Sequence, residues 1–374
     1  MKNPHFINFR SWSDYSDRDS AELILSRTGR NTGNLLFITA LHRVIKHNKF
    51  SASMRFERKL IRAEHDGLVI PAANWLSSSS DWANLAKLIE ASKMPCVMVG
   101  LGAQSHSKGA IPKLTDGTLR LLKIVSERSH SISVRGVFSA EVLAHYGITN
   151  VAVTGCPSLL WHVDRPAYVD PGQVLGERVS VCATREDTLA SLADKGDRNQ
   201  VSLYLTRMAR RKGYDFIAQT ERHDINVGRG TFSDLDSERE ALAYVKAAYA
   251  DTDESSIRAY LSSHLKVFCD VPEWLAYLQG RELVLGTRLH GVIAGLLAGI
   301  PGALVMHDAR TLEMAENLAI PGIMANKLIA ERMNVRTIYE AADYSAFNAR
   351  MIEYFRQFRA FFNSNGVEVN LPSA

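Results

Sequence analysis

Short apolar runs alternate with longer amphipathic stretches along most of this 374-residue chain, a pattern typical of α/β proteins. The short runs have the character of buried parallel strands; they are 67–70, 96–99, 131–134, 150–153, 179–183, 215–218, 266–269, 282–285 and 303–306. The stretches between them predict helices over 34–46, 80–91, 118–127, 139–146, 234–253, 272–278 and 343–362. We therefore predict parallel sheets covered by helices.

The length of the chain exceeds what one hydrophobic core usually holds, so two α/β domains are expected. Polar, proline-containing sequence at 162–172 marks the boundary between them. We predict a first domain over 1–170 and a second over 171–342. The segment 343–374 is predicted to be helical and to pack back onto the first domain through an apolar stripe of Phe347, Met351, Tyr354, Phe355, Phe358 and Phe361.

The segment 282–302, which reads ELVLGTRLHGVIAGLLAGIPG, places charged and titratable residues where a strand meets a helix. Thr287 is predicted to cap a helix whose first turn holds Arg288, Leu289 and His290. Open α/β sheets bind ligands at such junctions, and helix N-termini favour anions. The segment therefore predicts an anion-binding catalytic site, although an Arg-x-His triplet taken alone is more often a surface arginine and a core histidine.

Small residues follow in the same segment at helical spacing; they are Gly291, Ala294, Gly295 and Ala298. They predict that the helix lies close against the sheet, which would hold its N-terminus rigidly. For this reason we interpret Arg288 and His290 as functional.

The composition excludes several classes of function. Lys and Arg number 44 against 40 Asp and Glu, with no basic tail or stripe, so nucleic-acid binding is not indicated. No stretch resembles a signal peptide or a membrane span, so we expect a soluble, cytoplasmic protein, with peripheral association at the inner membrane face left open. Widely spaced cysteines without CxxC pairing argue against zinc and disulfides, and no metal is expected; they are Cys96, Cys156, Cys182 and Cys269.

Other polar and glycine residues stand at predicted strand ends and helix starts, where they could line a cleft. Arg135 ends the strand 131–134, with surface exposure as the alternative. Gly100 and Gly102 allow close backbone approach, but the full dinucleotide fingerprint is absent. The opening 29–33 is equally consistent with a ligand-holding loop and a tight turn. Asp308 and Arg310 follow the strand 303–306, and the alternative to a role in the site is that they form a structural ion pair. The remaining candidates are Asn31, Gly33, Asn34, Gln104 and Glu313.

Four motifs occur in a fixed order within roughly residues 23–321: RTGRNTGN, VGLGAQ, SVRGVFSAEVLAHYGITNVAVTGCPSLLW and VLGTRLHGVIAGLLAGIPGALVMHD. Together they resemble the polysaccharide pyruvyl transferase family; the two long motifs are specific and the two short ones weak. The resemblance implies a GT-B-like pair of Rossmann-type domains with parallel sheets facing a central cleft. It also implies that the first domain lies on the acceptor side.

The resemblance further implies transfer of a pyruvyl group from phosphoenolpyruvate, without a bound cofactor, to a sugar of a polysaccharide or its lipid-linked precursor, usually as a cyclic ketal. It assigns donor binding to Arg135, Arg288 and Leu289, and catalysis to His290. A donor with a carboxylate and a phosphate matches two arginines and a helix N-terminus in charge. The same surroundings should lower the pKa of His290 and favour a neutral imidazole that can move protons.

Two departures from the family pattern are visible. Asn34 stands where the family commonly has aspartate, and Asp308-Ala309-Arg310 stands where some members have lysine. Two other functions stay open: a GT-B glycosyltransferase or epimerase that uses a nucleotide sugar, with Glu313 as the carboxylate for the ribose, and a non-catalytic saccharide-binding protein. The acceptor sugar, the ketal stereochemistry and the oligomeric state do not follow from the sequence.

Overall fold

The computed structural model describes residues 1–9, 15, 16, 18–105, 109–170, 174–185, 188–193 and 196–372. Within these residues the strands are β1 Pro4–Phe6, β2 Gly67–Pro71, β3 Cys96–Val99, β4 Ile132–Val134, β5 Val151–Val153, β6 Val179–Cys182, β7 Asp215–Ala218, β8 Leu265–Val267, β9 Leu283–Gly286, β10 Gly302–Met306 and β11 Gly322–Met324.

The helices of the same residues are α1 Ala21–Arg27, α2 Asn34–Val44, α3 Arg58–Glu64, α4 Ala83–Ser92, α5 Asp116–Arg128, α6 Val137–His145, α7 Asp197–Lys212, α8 Arg222–Arg229, α9 Leu235–Tyr249, α10 Glu254–His264, α11 Val271–Gln279, α12 Leu289–Leu297, α13 Ala309–Leu318, α14 Ala325–Ala330, α15 Val335–Glu340 and α16 Tyr344–Ser364. A short 3₁₀ helix, Pro157–Leu160, follows β5.

Strands β1 to β5 build the sheet of the first unit. β1, β2 and β3 pair in parallel, and β4 pairs in parallel with β5. The two groups meet just beyond β3, where the Leu101 N–H donates to the Ser133 carbonyl at 3.0 Å and the Arg135 N–H donates to the Leu101 carbonyl at 2.9 Å. Arg135 therefore lies beside the chain that leaves β3.

The second unit contains a six-stranded sheet whose paired strands all run in parallel, in the order β11-β10-β9-β6-β7-β8. Counted from β6, this is the doubly wound order 3-2-1-4-5-6 of dinucleotide-binding folds. The direction of winding reverses between β6 and β9, so a crevice is expected at their carboxyl ends.

The two units share a hydrophobic core. One continuous cluster contains Leu36 and Leu41 of α2 from the first unit together with Val292 and Leu296 of α12 from the second. The predicted aromatic stripe of α16 is buried in the same cluster. Because the shared core is large and apolar, the packing favours a fixed orientation of the two units.

The prediction of a GT-B-like α/β fold with parallel sheets is confirmed. β3 and β7 have the predicted bounds, but β1, β11, α1, α3, α8, α10, α13, α14 and α15 were not predicted. In β1 the buried His5 interrupts the apolar pattern and bonds to the Ser51 hydroxyl at 2.8 Å. In α8 the buried Asp224 and Asn226 have the same effect. α4 begins at Ala83, with Trp82 as its N-cap, and not at residue 80 as predicted. The predicted boundary at 170/171 adjoins residues 171–173, which lie outside the described residues.

Candidate active site

The N-terminus of α12 lies at the reversal point of the second sheet, because it follows β9 directly. The helix begins later than predicted, and Arg288 rather than Thr287 is its N-cap residue, with φ −85° and ψ 103°. The Thr287 hydroxyl instead accepts from the Thr184 N–H at 2.8 Å, beyond the end of β6. The prediction was wrong because this partner is 103 residues away in the chain.

The predicted close packing of α12 on the sheet is confirmed. A Cβ at Gly291 would come within 2.6 Å of Cys182 Sγ, and one at Gly295 within 2.8 Å of Val284 Cγ2. Both neighbours belong to strands beneath the helix, so a larger side chain would push the helix away from the sheet. The first turn of α12, with Arg288 and His290, is therefore held at a fixed distance from the sheet.

His290 is buried in the first turn of α12, with 8% of its surface exposed. Its ring stacks on Phe37 of α2 with 5.6 Å between the ring centroids. Its Nε2 lies 3.6 Å from Cys156 Sγ, and a Cβ at Gly33 would come within 2.9 Å of His290 Cβ. Two segments of the first unit, α2 with its N-cap and the chain at Cys156, thus contact an imidazole that belongs to the second unit.

Arg135 is a buried residue, 2% exposed, and not the surface arginine that the sequence left open. Its Nε donates to the Gly100 carbonyl at 2.9 Å and its Nη1 to Asn74 Oδ1 at 2.8 Å. Its Nη2 is buried without a hydrogen-bond partner, and among the described residues no carboxylate lies within ion-pair distance. Burial lowers the pKa of this guanidinium, and the charge of Arg310 adds to the effect.

Arg288 is largely buried, with 11% of its side chain exposed. Its Nη2 donates to Glu221 Oε1 and to Thr220 Oγ1, at the turn between β7 and α8. Its Nε is buried without a partner. One end of the guanidinium is therefore fixed by protein, while a donor is left over.

Asp308 and Arg310 form the ion pair that the sequence left open, with 3.3 Å between Asp308 Oδ2 and Arg310 Nη2. Asp308 also caps α13, since its Oδ1 accepts from the Thr311 N–H at 2.8 Å. The Nε of Arg310 is buried without a partner. Arg310 therefore resembles Arg135 and Arg288 in carrying an unused donor.

The opening 29–34 forms a tight turn. Asn31 Oδ1 accepts from the Gly33 N–H at 2.8 Å, and Asn34 Nδ2 donates to the Thr28 and Gly29 carbonyls, both at 3.1 Å. A carboxylate at position 34 could not donate these bonds, so the asparagine has a structural role that aspartate would not fill. The turn brings Gly33 against His290.

Gly100 and Gly102 contact protein where the sequence suggested a ligand. A Cβ at Gly100, whose φ is 78°, would come within 2.7 Å of Pro157 Cδ. A Cβ at Gly102 would come within 2.8 Å of Arg135 Cδ. These glycines therefore make room for Arg135 and for the 3₁₀ helix beside it.

The side chains of two other predicted site residues have surroundings that do not include His290. Leu289 is buried, and its side chain belongs to the core shared by the two units. Gln104 is exposed, and its backbone N–H donates to the Leu76 carbonyl at 3.0 Å. Neither side chain is brought into contact with His290 among the contacts described.

Glu313 of α13 reaches from the second unit to the N-terminus of α6 in the first. Its Oε1 accepts from the Ser139 N–H at 2.7 Å and its Oε2 from the Ser139 hydroxyl at 2.9 Å. Burial raises the pKa of Glu313. The carboxyl group thus caps a helix of the other unit. Because it is engaged in this cap, it is not available to bind the ribose of a nucleotide sugar.

A cavity of about 690 Å³ lies between α6 and α13, next to this cap. It combines apolar side chains with carboxyl and amide groups; its lining includes Gly109, Val137, Phe138, Glu141, Ala309, Glu313, Glu316 and Asn317. The cavity adjoins the arginines, since Ala309 precedes Arg310 and Asn317 Nδ2 donates to the Arg135 carbonyl at 2.7 Å.

The electrostatic environment of His290 follows from these contacts. Burial lowers its pKa well below 6.5, and the charges of Arg135, Arg310 and Arg288 lower it further. The direction was predicted from the helix N-terminus and Arg288, but burial is the largest cause and all three arginines contribute. The imidazole is therefore neutral at neutral pH and lies among positively charged arginines.

Several residues around His290 and Arg288 were not predicted; they are Phe37, Cys156, Gln219, Thr220 and Glu221. Phe37 lies in the apolar pattern of a predicted helix, and Cys156 follows a predicted strand in the sequence TGCPS, where nothing marks it as a neighbour of the histidine. The other three form the turn after β7, within the unremarked sequence AQTERHD. The only available signal was their place at the carboxyl end of a strand, which many non-functional residues share.

Among the described residues, no cluster of three or more His, Cys, Asp and Glu side chains is arranged to bind a metal ion. None of the helices in this part of the chain has the length and apolar character needed to cross a membrane. All four cysteines are buried and free of disulfides.

The structure is an α/β protein in which three arginines act electrostatically on a buried, neutral histidine. A sequence profile of the polysaccharide pyruvyl transferase family matches residues 5–308. The chain belongs to this family and is a transferase of polysaccharide biosynthesis, as the resemblance predicted. No curated protein matches the chain in sequence.

Solved structures with a similar chain trace are remote in sequence. S. aureus MnaA, solved with UDP, is 11% identical, and the match covers 100% of this chain and 99% of that chain with a TM-score of 0.46. A putative UDP-N-acetylglucosamine 2-epimerase from Listeria monocytogenes is 11% identical over 88% and 84% of the two chains, with a TM-score of 0.44. The UDP-GlcNAc 2-epimerase from Neisseria meningitidis, bound to UDP-GlcNAc, is 8% identical over 88% and 96%, with a TM-score of 0.41. Likeness at this level does not bear on ligand or reaction.

Proposed function

We propose that this protein transfers the pyruvyl group of phosphoenolpyruvate to a sugar of a polysaccharide, or of its lipid-linked precursor, and closes it into a cyclic ketal. The observation that carries the proposal is the buried imidazole of His290 among Arg135, Arg288 and Arg310. Each of these arginines has a buried N–H that lacks a partner among the described residues. The carboxylate and phosphate of phosphoenolpyruvate would accept from such donors in charge-assisted hydrogen bonds.

The reaction requires that protons and a phosphate move. C3 of phosphoenolpyruvate takes up one proton, C2 gains oxocarbenium character, and a sugar hydroxyl adds to C2. The C2–O bond to phosphate then breaks, and a second hydroxyl closes the ketal. The two hydroxyls release two protons, which balance the one taken up at C3 and the one that leaves with phosphate. A neutral His290 is suited to accept a hydroxyl proton, and the arginines are suited to stabilise the departing phosphate.

The cavity between α6 and α13 is the proposed entrance for the acceptor. Its apolar side chains suit the C–H faces of a sugar, and its carboxyl and amide groups suit hydroxyls. Its carboxyl groups would disfavour an anionic donor, which is expected on the arginine side. We propose a cytoplasmic reaction, at the inner face of the membrane when the acceptor is lipid-linked.

The test is to incubate the protein with phosphoenolpyruvate and a panel of acceptor glycans, and to follow phosphate release and product mass. We expect phosphate release that depends on one or a few acceptors, with a product that carries a pyruvate ketal. The Arg288→Ala variant is the control for donor dependence. Phosphate release without any glycan product would count against the ketal.

Two outcomes would favour the other functions. Tight binding of a nucleoside diphosphate, with none of phosphoenolpyruvate, would indicate a nucleotide-sugar enzyme; the engagement of Glu313 with Ser139 speaks against it. Glycan binding that survives substitution of His290 in a protein without turnover would indicate a non-catalytic saccharide-binding protein.

A further inference from the structure

The turn between β7 and α8, formed by Gln219, Thr220 and Glu221, lies directly beneath Arg288. Glu221 is 1% exposed, and its carboxylate is saturated with donors. Oε2 accepts from the Gln219 and Thr220 N–H groups at 2.8 and 3.0 Å, and Oε1 accepts from the Thr220 hydroxyl at 3.1 Å. The carboxylate therefore has a single orientation, set by its own turn.

Arg288 is attached to this turn by one nitrogen. Its Nη2 donates both to Glu221 Oε1 and to Thr220 Oγ1, and these two oxygens are hydrogen-bonded to each other. Arginine has five donors in a rigid plane, so fixing one nitrogen at two points also fixes where the others lie. Nε, buried without a partner, is among the donors whose position is set in this way.

A second buried ion pair stands behind Glu221. Arg185 Nη2 lies 2.5 Å from Asp224 Oδ1, both side chains are fully buried, and the Tyr249 hydroxyl donates to the same oxygen at 2.6 Å. Burial opposes ionisation of Glu221, but Arg288 and Arg185 outweigh it and hold its pKa below the usual value. Glu221 is thus a permanent negative charge near neutral pH.

The turn also contacts the first unit. The Gln219 carbonyl accepts from the Thr32 N–H at 3.1 Å, and the Gln219 side chain fills the space where a Cβ at Gly33 would lie. Gly33 in turn abuts His290. The support of Arg288 and the loop against the histidine are therefore one connected structure across the two units.

From these contacts we infer that Glu221, assisted by Thr220, is a positioning residue that aims the free donors of Arg288 at the anionic donor substrate. The inference rests on the proposed function for the identity of that anion. Glu221 does not touch the substrate in this account; it acts only through Arg288. Removing the Glu221 carboxylate should leave Arg288 with its positive charge but without a single orientation of its guanidinium group.

The test measures the Kd of phosphoenolpyruvate by calorimetric titration for Glu221→Gln, Thr220→Val and Thr220→Ser. We expect Glu221→Gln to raise the Kd by roughly tenfold or more, as for one lost charge-assisted contact. Thr220→Val, which keeps the volume but removes the hydroxyl, should raise it by a smaller factor. Thr220→Ser, which restores the hydroxyl, should recover most of that loss.

The decisive measurement repeats Glu221→Gln in an Arg288→Ala background. If Glu221 acts only through Arg288, the second substitution should have no further effect on the Kd. An equal fold-change in both backgrounds, or an unchanged Kd in Glu221→Gln alone, overturns the inference. If Glu221→Gln does not fold, the Thr220→Val and Thr220→Ser pair decides, and equal Kd values for those two overturn it.

Glu282→Gln is the matched control. Glu282 is paired with Arg178 at 3.1 Å, at the opposite end of the strand that leads to Arg288. Glu282→Gln should leave the Kd of phosphoenolpyruvate unchanged. If it raised the Kd as much as Glu221→Gln does, the inference would be overturned. If the wild type does not bind phosphoenolpyruvate, the proposed function fails, and the same variants titrated with inorganic phosphate test the positioning role separately. Absence of phosphate binding as well would overturn both.

Discussion

Arg135 carries a buried positive charge that no carboxylate of the described residues pairs, so its replacement should separate stability from donor binding. The perturbation is Arg135→Met, which keeps most of the volume and flexibility of the side chain but removes the charge and all donors. We expect the variant to bind phosphoenolpyruvate much more weakly and to remain about as stable as the wild type when both are measured without donor.

Two opposing contributions set the expected stability. The substitution removes the bonds to the Gly100 carbonyl and Asn74 Oδ1, at 2.9 and 2.8 Å, and hydrogen bonds of charged groups contribute about 1.5–3 kcal/mol each. Against this, an unpaired buried charge costs several kcal/mol. We therefore expect the free energy of unfolding to change by less than about 2 kcal/mol. Arg135→Ala, which also leaves a cavity beside Gly102, should lose a further roughly 2–4 kcal/mol.

The assay is thermal unfolding of the wild type and both variants, with and without phosphoenolpyruvate. A ligand at about a hundred times its Kd stabilises a protein by about 2.7 kcal/mol, so the wild type should show a clear increase in Tm and Arg135→Met a much smaller one. A full donor-dependent increase in Arg135→Met would remove this arginine from the donor site. A methionine variant less stable than the alanine variant would refute the reasoning about buried charge.

Three further predictions concern single residues. His290→Ala should keep most donor affinity but lose rate by about 10²–10⁴-fold, and His290→Gln should stay slow, because neither side chain moves a proton. In the wild type the His290-dependent limb of the pH profile of kcat/KM should lie well below pH 6.5. A fast His290→Gln variant with an unaltered pH profile would end the catalytic assignment. Arg288→Ala should weaken donor binding by about 1.5–3 kcal/mol and Arg288→Lys should recover only part of it, as titration would show; unchanged affinity in Arg288→Ala would exclude a donor role. Burial, with the charge of His47, lowers the pKa of His42 to about 3. Between about pH 6.5 and pH 3 the unfolded chain therefore binds a proton at His42 and the folded protein does not. This contribution to the free energy of unfolding is fully present above about pH 6.5 and is lost as the pH falls toward 3, by on the order of 4–5 kcal/mol. Urea unfolding at several pH values should show that the free energy of unfolding falls less steeply with acid in His42→Gln than in the exposed control His145→Gln. Equal slopes in the two variants would contradict the prediction.

The strands of this fold were predictable where they are buried on both faces. Residues 96–99 and 215–218 form short apolar runs, and parallel strands covered by helices require such runs. The prediction failed where buried polar groups replace apolar ones, as in α8, because hydrogen bonds to distant residues keep Asp224 and Asn226 inside. A sequence pattern contains no information about partners of that kind.

The candidate site was predictable only in part for a similar reason. Arg135, Arg288 and His290 stand at strand ends or a helix start within long motifs, and the structure brings their charges together. Glu221 lies 67 residues from Arg288 in the chain, and nothing local marks it as a partner. Whether these residues bind phosphoenolpyruvate stays a prediction until the titrations are made.

The position of the last helix has a consequence for how the protein is made. The N-terminus of a growing chain leaves the ribosome first, so the first unit emerges before α16 has been synthesised. The Tyr354 hydroxyl later bonds to the Cys156 carbonyl at 2.5 Å, and the Asn370 N–H bonds to the Val44 carbonyl at 2.7 Å. Until those residues are synthesised, the apolar surface around Cys156 has no cover, and exposed surface of this kind attracts other nascent chains. We therefore expect the nascent protein to depend on chaperones until α16 and the segment to Asn370 have been synthesised, and a stop codon before α16 to yield aggregates rather than a folded first unit.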